Sequence, residues 1–416
     1  MKKFIFKKVR KNFLWLIVGQ ATYKLFSLFS LILLARSVRV EEFGIFSYSL
    51  AFVGLFYILS DMGLSDLLVR ETAKDHQLLP GYLSNFLALK FILSIITLIA
   101  IGLSASIHSY NIVITRLILI FGVGIVLESL SFLMKAVFQT YEQMKYEAYV
   151  LILEGMVRFL LVLSAINSGV GIIGVALAFF LSTLFGLIVS SFLVYFKFAK
   201  LRFEFDWRFM CKFLIIALPF AGLNLLGYIN LKIDTVMLMH LSGEASAGLF
   251  GAANRLIEPL LVIPLMFGIS LAPAVSKAVG WKRNDIIHFL RRCMAILIFL
   301  CLPIVIVLTI IAPSIFGLIL GIHYVGATDT FRILIWYFPL FTLQFMWEKL
   351  LNGLRREAMT VIIYLIGMII NVAFNILLIP KYGPTGAGVA TLLAGSFILI
   401  ALFYLIRIIS LLPSYS

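Results

Sequence analysis

The sequence predicts an all-α polytopic membrane protein of about twelve transmembrane helices, in two six-helix lobes with both termini on the same side of the bilayer. Three observations predict it: an extreme apolar share, apolar runs of membrane-spanning length, and a one-sided distribution of Lys and Arg. Of 416 residues, 62% are hydrophobic and 13% charged, against about 45–50% and about 25% in ordinary globular chains. No soluble domain of this length covers that much apolar surface, so lipid is the expected solvent for most side chains.

A helix crossing the hydrocarbon core needs about 20 predominantly apolar residues. Such runs lie near 13–36, 43–62, 83–106, 113–137, 148–166 and 170–196, then near 213–239, 247–275, 289–311, 329–351, 359–379 and 385–409. The first is too long for a signal-peptide core and no small-residue cleavage site follows it, so it reads as a span. A β-barrel is excluded, because the runs are long and do not alternate. With the N-terminus inside, the inner segments carry 23 Lys and Arg, and the outer ones only Arg36, Arg39 and Lys381. That asymmetry predicts N-in, C-in topology, and it explains the net charge of +15 as an inner-leaflet signature. Nucleic acid is excluded as a partner, since the longest polar stretch, Lys197 to Lys212, is too short for a basic domain. That stretch divides the chain into an N-terminal lobe at 1–196, a cytoplasmic linker at 197–212 and a C-terminal lobe at 213–416. Phe43-Gly44-Ile45-Phe46 and Gly248-Leu249-Phe250, about 204 residues apart, suggest an internal repeat. Cys211, Cys293 and Cys301 have no metal-ligand spacing.

Ionisable residues deep in a membrane usually face a cavity or one another. Lys24 lies eleven residues past Phe13, at a depth of ~16 Å by helical rise, where snorkelling to the interface is strained. Glu154 and Arg158 at i, i+4 read equally as a self-neutralising pair or as a substrate contact. Arg255 and Glu258 at i, i+3 read the same way, with Lys232 and Asp234 expected to join a mixed cluster. Glu128 has no partner on its own helix; Lys135, Lys24 or Arg158 could serve. Lys90 is expected to snorkel. Asp61, Lys135, Glu348, Arg36 and Arg332 are expected to anchor span ends, with Asp61 a marginal member of the deep set. The candidate substrate-binding cations are therefore Lys24, Arg158, Arg255 and Lys232. The candidate coupling or ion-pairing acids are Glu128, Glu154, Asp234, Glu258 and Asp61. This set suits a hydrated cavity that receives an anion and titrates a proton or holds a sodium ion. Prolines inside spans occur only in the second half, at Pro219, Pro259, Pro264, Pro273, Pro303 and Pro339, where they favour kinks.

Four stretches carry a family resemblance. They are Ala35 to Tyr48 (ARSVRVEEFGIFSY); Asp61-Met62-Gly63-Leu64 with Arg70-Glu71-Thr72-Ala73; Pro219 and Asp234 with Gly248 to Leu256 (GLFGAANRL); and Gly321, Tyr324 and Ala327 with Pro380-Lys381-Tyr382-Gly383. In these the chain resembles the polysaccharide (O-antigen type) flippases of the multidrug/oligosaccharidyl-lipid/polysaccharide exporter superfamily. It departs at Ser37-Val38, where the family often has Leu-Gly. The resemblance implies two six-helix lobes around a V-shaped cavity with alternating access. It also implies an undecaprenyl- or dolichyl-diphosphate-linked glycan as substrate. The expected function is translocation of a polyprenyl-diphosphate-linked oligosaccharide from the cytoplasmic to the outer leaflet for surface polysaccharide (O-antigen, lipopolysaccharide or capsule) biosynthesis. By analogy, Lys24, Arg158 and Arg255 meet the diphosphate. The expected protein is a monomer in the cell membrane with no cofactor beyond H+ or Na+ coupling, working beside a polysaccharide polymerase and glycosyltransferases. The alternatives are a multidrug-type cation antiporter, which favours an acidic cavity, and a membrane polymerase or ligase. The latter generally needs a large outer loop bearing Arg and His, whereas the longest outer connection, about Ala312 to Thr328, offers only His323. A non-enzymatic transporter is the reading adopted.

Overall fold

A computed structural model describes every residue except Met1, Lys74, 108–110, 199–204, 265–282, 354–356 and 412–416. Pro273 and the basic residues Lys74, Lys200, Arg202, Lys277, Lys282, Arg355 and Arg356 lie outside the described residues. The chain forms α1 (Lys2–Ser37), α2 (Val40–Gly54), α3 (Tyr57–Asp61), α4 (Leu64–Thr72), α5 (Leu79–Ile107), α6 (Ile112–Thr140), α7 (Met144–Asn167) and α8 (Gly171–Lys197). It continues with α9 (Trp207–Ser242), α10 (Glu244–Ile257), α11 (Arg283–Ile315), α12 (Thr328–Leu334), α13 (Tyr337–Gly353) and α14 (Glu357–Leu411). The described residues contain no strand.

Nine described segments are long and apolar enough to cross a membrane. The last, Ala358–Leu405, holds two spans, because the chain reverses within α14. Gly383, between Pro380 and Pro384, leaves helical geometry at φ 55° and ψ −132°. A Cβ on Gly386 would lie 2.5 Å from the Leu378 carbonyl oxygen, and one on Gly367 would lie 2.4 Å from Ile398. Residues that far apart on one continuous helix cannot touch at a rise of about 1.5 Å per residue. With α9 and the α12–α13 segment at the two remaining expected positions, the architecture is that of an all-α polytopic membrane protein.

Span two is broken. Met62 (φ 48°) and Gly63 (φ 73°) are both left-handed, ending α3 and restarting the chain as α4. A left-handed non-glycine residue is uncommon and marks a fixed bend.

By packing, the chain forms two compact units: Met1–Val38 with Ile45–Tyr228, and Arg39–Gly44 with Ile229–Ser416. The boundary falls inside α9 instead of in the 197–212 connection. The physical reason is the first half of α9, whose Phe209 and Phe213 rings lie 4.8 and 5.0 Å from that of Tyr82. The Asp206 N–H also donates to Asn85 Oδ1 at 2.8 Å. These contacts hold the start of α9 in unit 1.

Unit 2 contains a reciprocal glycine contact. A Cβ on Gly44 would stand 1.9 Å from the Glu244 carbonyl oxygen, and one on Gly248 would stand 2.2 Å from that of Val40. Each glycine thus meets the residue four positions before the other. The same offset relates both members of the contact.

Candidate functional site

In unit 1 the polar array is built on α7. The α1 and α7 helices approach closely because Gly19 packs on Ala148 and Gly155 on Phe26 and Tyr23; small residues permit such approach. That packing delivers the Tyr23 ring to within 4.8 Å of the Arg158 guanidinium, while Phe179 of α8 lies at 4.7 Å. Arg158 donates from Nε to Ser182 Oγ at 3.1 Å and from Nη2 to Glu154 Oε1 at 3.2 Å. The other carboxylate oxygen of Glu154 accepts from Lys135 Nζ at 3.2 Å. All three charged groups are buried. Gly186 makes the room, since a Cβ there would stand 2.6 Å from Glu154 Oε2.

Lys24 and Glu128 sit at the open side of this array. Lys24 is half-buried and forms no hydrogen bond or ion pair among the described residues. Glu128 is exposed, like Phe132 one turn later, and a Cβ on Gly124 one turn earlier would meet nothing within 4 Å. The charges that bear on Glu128 are Glu154, Arg158, Lys135 and Lys24. Of the three cations offered to it by sequence, Lys135 and Arg158 are committed to Glu154, which leaves Lys24.

Unit 2 repeats the chemistry. Glu258, just past α10, accepts from Arg255 Nη1 at 2.9 and 3.1 Å and from Lys232 Nζ of α9 at 3.0 Å. Each unit therefore holds a glutamate bridged by an Arg of its own helical run and a Lys from a neighbouring helix, with net charge +1. The unit 2 triad is the more open, its side chains 14–20% exposed against 3–9% in unit 1.

Asp234 does not join that cluster. It is 3% exposed, and its two oxygens accept from Asn375 Nδ2 at 2.6 Å and Thr391 Oγ1 at 2.7 Å, both from α14. Asn375 also donates to Asn371 Oδ1 at 2.9 Å, and its own Oδ1 has no partner among the described residues. Beside them a cavity of about 20 Å³ is lined by Asn230, Asp234, Asn254, Tyr337 and Thr391, among others. That is room for one water, which needs about 10–15 Å³, or for a small cation. A buried carboxylate with only neutral partners is stable once it takes a proton or a cation. Asp234 and Thr391 place side-chain oxygens on this cavity beside the apolar Leu231, Phe250, Ile257, Leu261 and Leu334, and hard cations prefer oxygen ligands. Among the described residues no three of His, Cys, Asp and Glu converge on a metal-binding geometry.

Further sequence expectations are corrected. Lys90 does not snorkel, and Asp61 does not anchor an interface. Lys90 Nζ is wholly buried and donates to Asp61 Oδ1, to Ser65 Oγ at 3.0 Å, and to the Ser129 carbonyl at 2.7 Å. Asp61 also accepts from the Gly63 N–H and from Ser65 Oγ. This network spans α3 to α6 and fixes the break in span two. Lys135 likewise leaves the interface role for Glu154. The sequence carried no signal for Lys90–Asp61, whose members lie 29 residues apart on different spans.

A family model described as polysaccharide biosynthesis protein matches residues 9–279. The chain belongs to that family. A second model, MatE, matches residues 219–377. Over 49% of its length the chain is 26% identical to the uncharacterized membrane protein MJ1068 of Methanocaldococcus jannaschii, covering 40% of that protein. Over 45% it is 26% identical to the probable multidrug resistance protein NorM of Pasteurella multocida, covering 42% of it. The lipid II flippase MurJ of Bacillus subtilis is 24% identical over 33% of this chain and 27% of its own. The chain thus spans less than half the length of these curated relatives. Its fold is that of a solved lipid II flippase MurJ in an inward closed conformation, at TM-score 0.80 and 15% identity over 94% of this chain and 87% of that one. An inward-facing multidrug resistance MATE transporter gives 0.79 at 16% identity over 95% and 98%. The protein is a multi-pass membrane protein of the polysaccharide biosynthesis protein family, and its fold is shared with these solved structures.

Proposed function

We propose that this chain flips a polyprenyl-diphosphate-linked oligosaccharide repeat unit from the cytoplasmic to the outer leaflet by alternating access, supplying surface polysaccharide assembly. The observation that carries this reading is the basic excess in both polar arrays. Two cations meet each bridging glutamate, and Lys24 stands free of any bonded acid. A diphosphate is the head group such arrays attract. Each glycan hydroxyl costs about 4–8 kcal/mol to bring from water into hydrocarbon unpaired, so a hydrated passage is required. Outward movement gains ~2.3 kcal/mol per negative charge per 100 mV of inside-negative potential. Lys24 in unit 1 and, separately, Lys232 and Arg255 in unit 2 are the cations offered to the diphosphate. Arg158, held by Glu154 and two rings, shapes the field behind Lys24. Asp234 is the coupling group, taking H+ or Na+ into the cavity beside it.

The antiporter reading draws on the MatE match and on Asp234, a buried acid in the second unit. Reconstitution separates the two. Flipping of a fluorescent polyprenyl-diphosphate sugar, abolished in Lys24→Ala and retained in Lys24→Arg, is the expected result. Uptake of an organic cation that survives Lys24→Ala is the result that transfers the chain to the antiporter class.

A further inference from the structure

Where α7 begins and α8 ends, two ammonium groups converge on one phenol. Lys145 Nζ stands 4.7 Å and Lys197 Nζ 4.8 Å from the Tyr146 ring centroid. Lys197 also donates to Tyr146 Oη at 3.4 Å. Neither lysine pairs with an acid among the described residues. Ring faces attract each ammonium without cancelling its charge, so the two cations repel until an anion joins them. The platform beneath them is firm: Phe198 lies 5.4 Å from Tyr146 and 5.2 Å from Tyr141, and His76 stacks on Tyr141 at 4.7 Å. Around it Tyr149, Tyr195 and Phe196 are 44%, 51% and 65% exposed. Exposed aromatics at the ends of apolar spans mark the headgroup level of a bilayer.

We propose that Lys145, Lys197 and the Tyr146 hydroxyl bind the phosphate of an anionic membrane lipid in the leaflet on the Lys- and Arg-rich side. Charge complementarity selects an anion. The phosphate oxygens match two ammonium donors and the phenolic O–H, which is left to donate because its oxygen accepts from Lys197. The flanking apolar rings select a lipid, whose acyl chains cover them. The site lies at the first turn of α7, the helix that carries Glu154 and Arg158 and packs along α1. Occupancy therefore steadies the helix pair that holds the unit 1 array. The proposal stands whether the transported solute is a lipid-linked glycan or a cation.

Native mass spectrometry of the purified full chain, delipidated and re-exposed to phosphatidylglycerol or phosphatidylcholine, tests it. Wild-type protein is expected to retain phosphatidylglycerol selectively, and Lys145→Gln with Lys197→Gln to weaken retention roughly 30-fold, about 5-fold per lysine. Lys381→Gln, outside this cluster, is expected to change nothing, and Lys145→Arg with Lys197→Arg to keep the lipid. Thermal unfolding checks each fold; should the double glutamine variant fail to fold, the single Lys197→Gln variant carries the test. Equal retention by wild type and the glutamine variants overturns the proposal. So does displacement of the lipid by inorganic phosphate, which would make the site one for free phosphate.

Discussion

Glu154→Gln leaves Lys135 and Arg158 buried without their shared acid, and breaking a buried ion pair from one side costs about 3–5 kcal/mol. The variant is therefore expected to melt well below wild type in detergent. Lys24→Ala, with no bonded partner to orphan, is expected to melt with wild type while losing transport. The same contrast applies to the network in span two. Asp61→Asn strands Lys90 and is expected to destabilise by about 3–5 kcal/mol, whereas Asp61→Asn with Lys90→Met recovers much of the loss. If the single and double variants melt alike, the Asp61–Lys90 bond does not hold the break. At this scale the sequence was legible where partners lie on one helix, as in Glu154–Arg158 and Arg255–Glu258, since i, i+4 and i, i+3 spacings are local. Across spans it was legible for Lys232 with Glu258 and not for the other pairs. Lys135–Glu154, Lys90–Asp61 and Asp234 with Asn375 and Thr391 depend on helix rotation, which composition does not encode.

Among the elements, glycines decide which helices approach. Gly44→Ala or Gly248→Ala places a methyl inside van der Waals reach of a backbone carbonyl, which no rotamer relieves. The helices must separate, at a cost of about 1–3 kcal/mol. Gly102→Ala on α5, where a Cβ meets nothing within 4 Å, is expected to be stabilising by about 0.5–1 kcal/mol. Comparing the melting temperatures of the three variants checks both statements. The long apolar runs gave away the spans because the bilayer sets their length. The reversal at Gly383 was foreshadowed by the Pro and Gly around it. The break at Met62–Gly63 and the attachment of the first half of α9 to unit 1 were hidden, because each follows from packing partners distant in sequence.

For the whole molecule, the basic excess along the polar arrays is the feature that bears on anion movement. Lys232→Gln with Arg255→Gln removes both cations that bond Glu258 in the unit 2 triad. Flipping of a lipid-linked diphosphate is then expected to fall by at least ~10-fold, the low end of what loss of one charge-assisted bond of about 1.5–3 kcal/mol brings. Unchanged flipping would remove the unit 2 triad from the path. The central claim, that the arrays receive a phosphorylated head group, is tested most directly in proteoliposomes by following a fluorescent polyprenyl-diphosphate oligosaccharide from one leaflet to the other with wild-type and Lys24→Ala protein of equal thermal stability. Transfer by wild type, insensitive to organic cations and lost in Lys24→Ala, is the predicted result; equal transfer by both proteins, or none by wild type alongside uptake of an organic cation, would contradict the account.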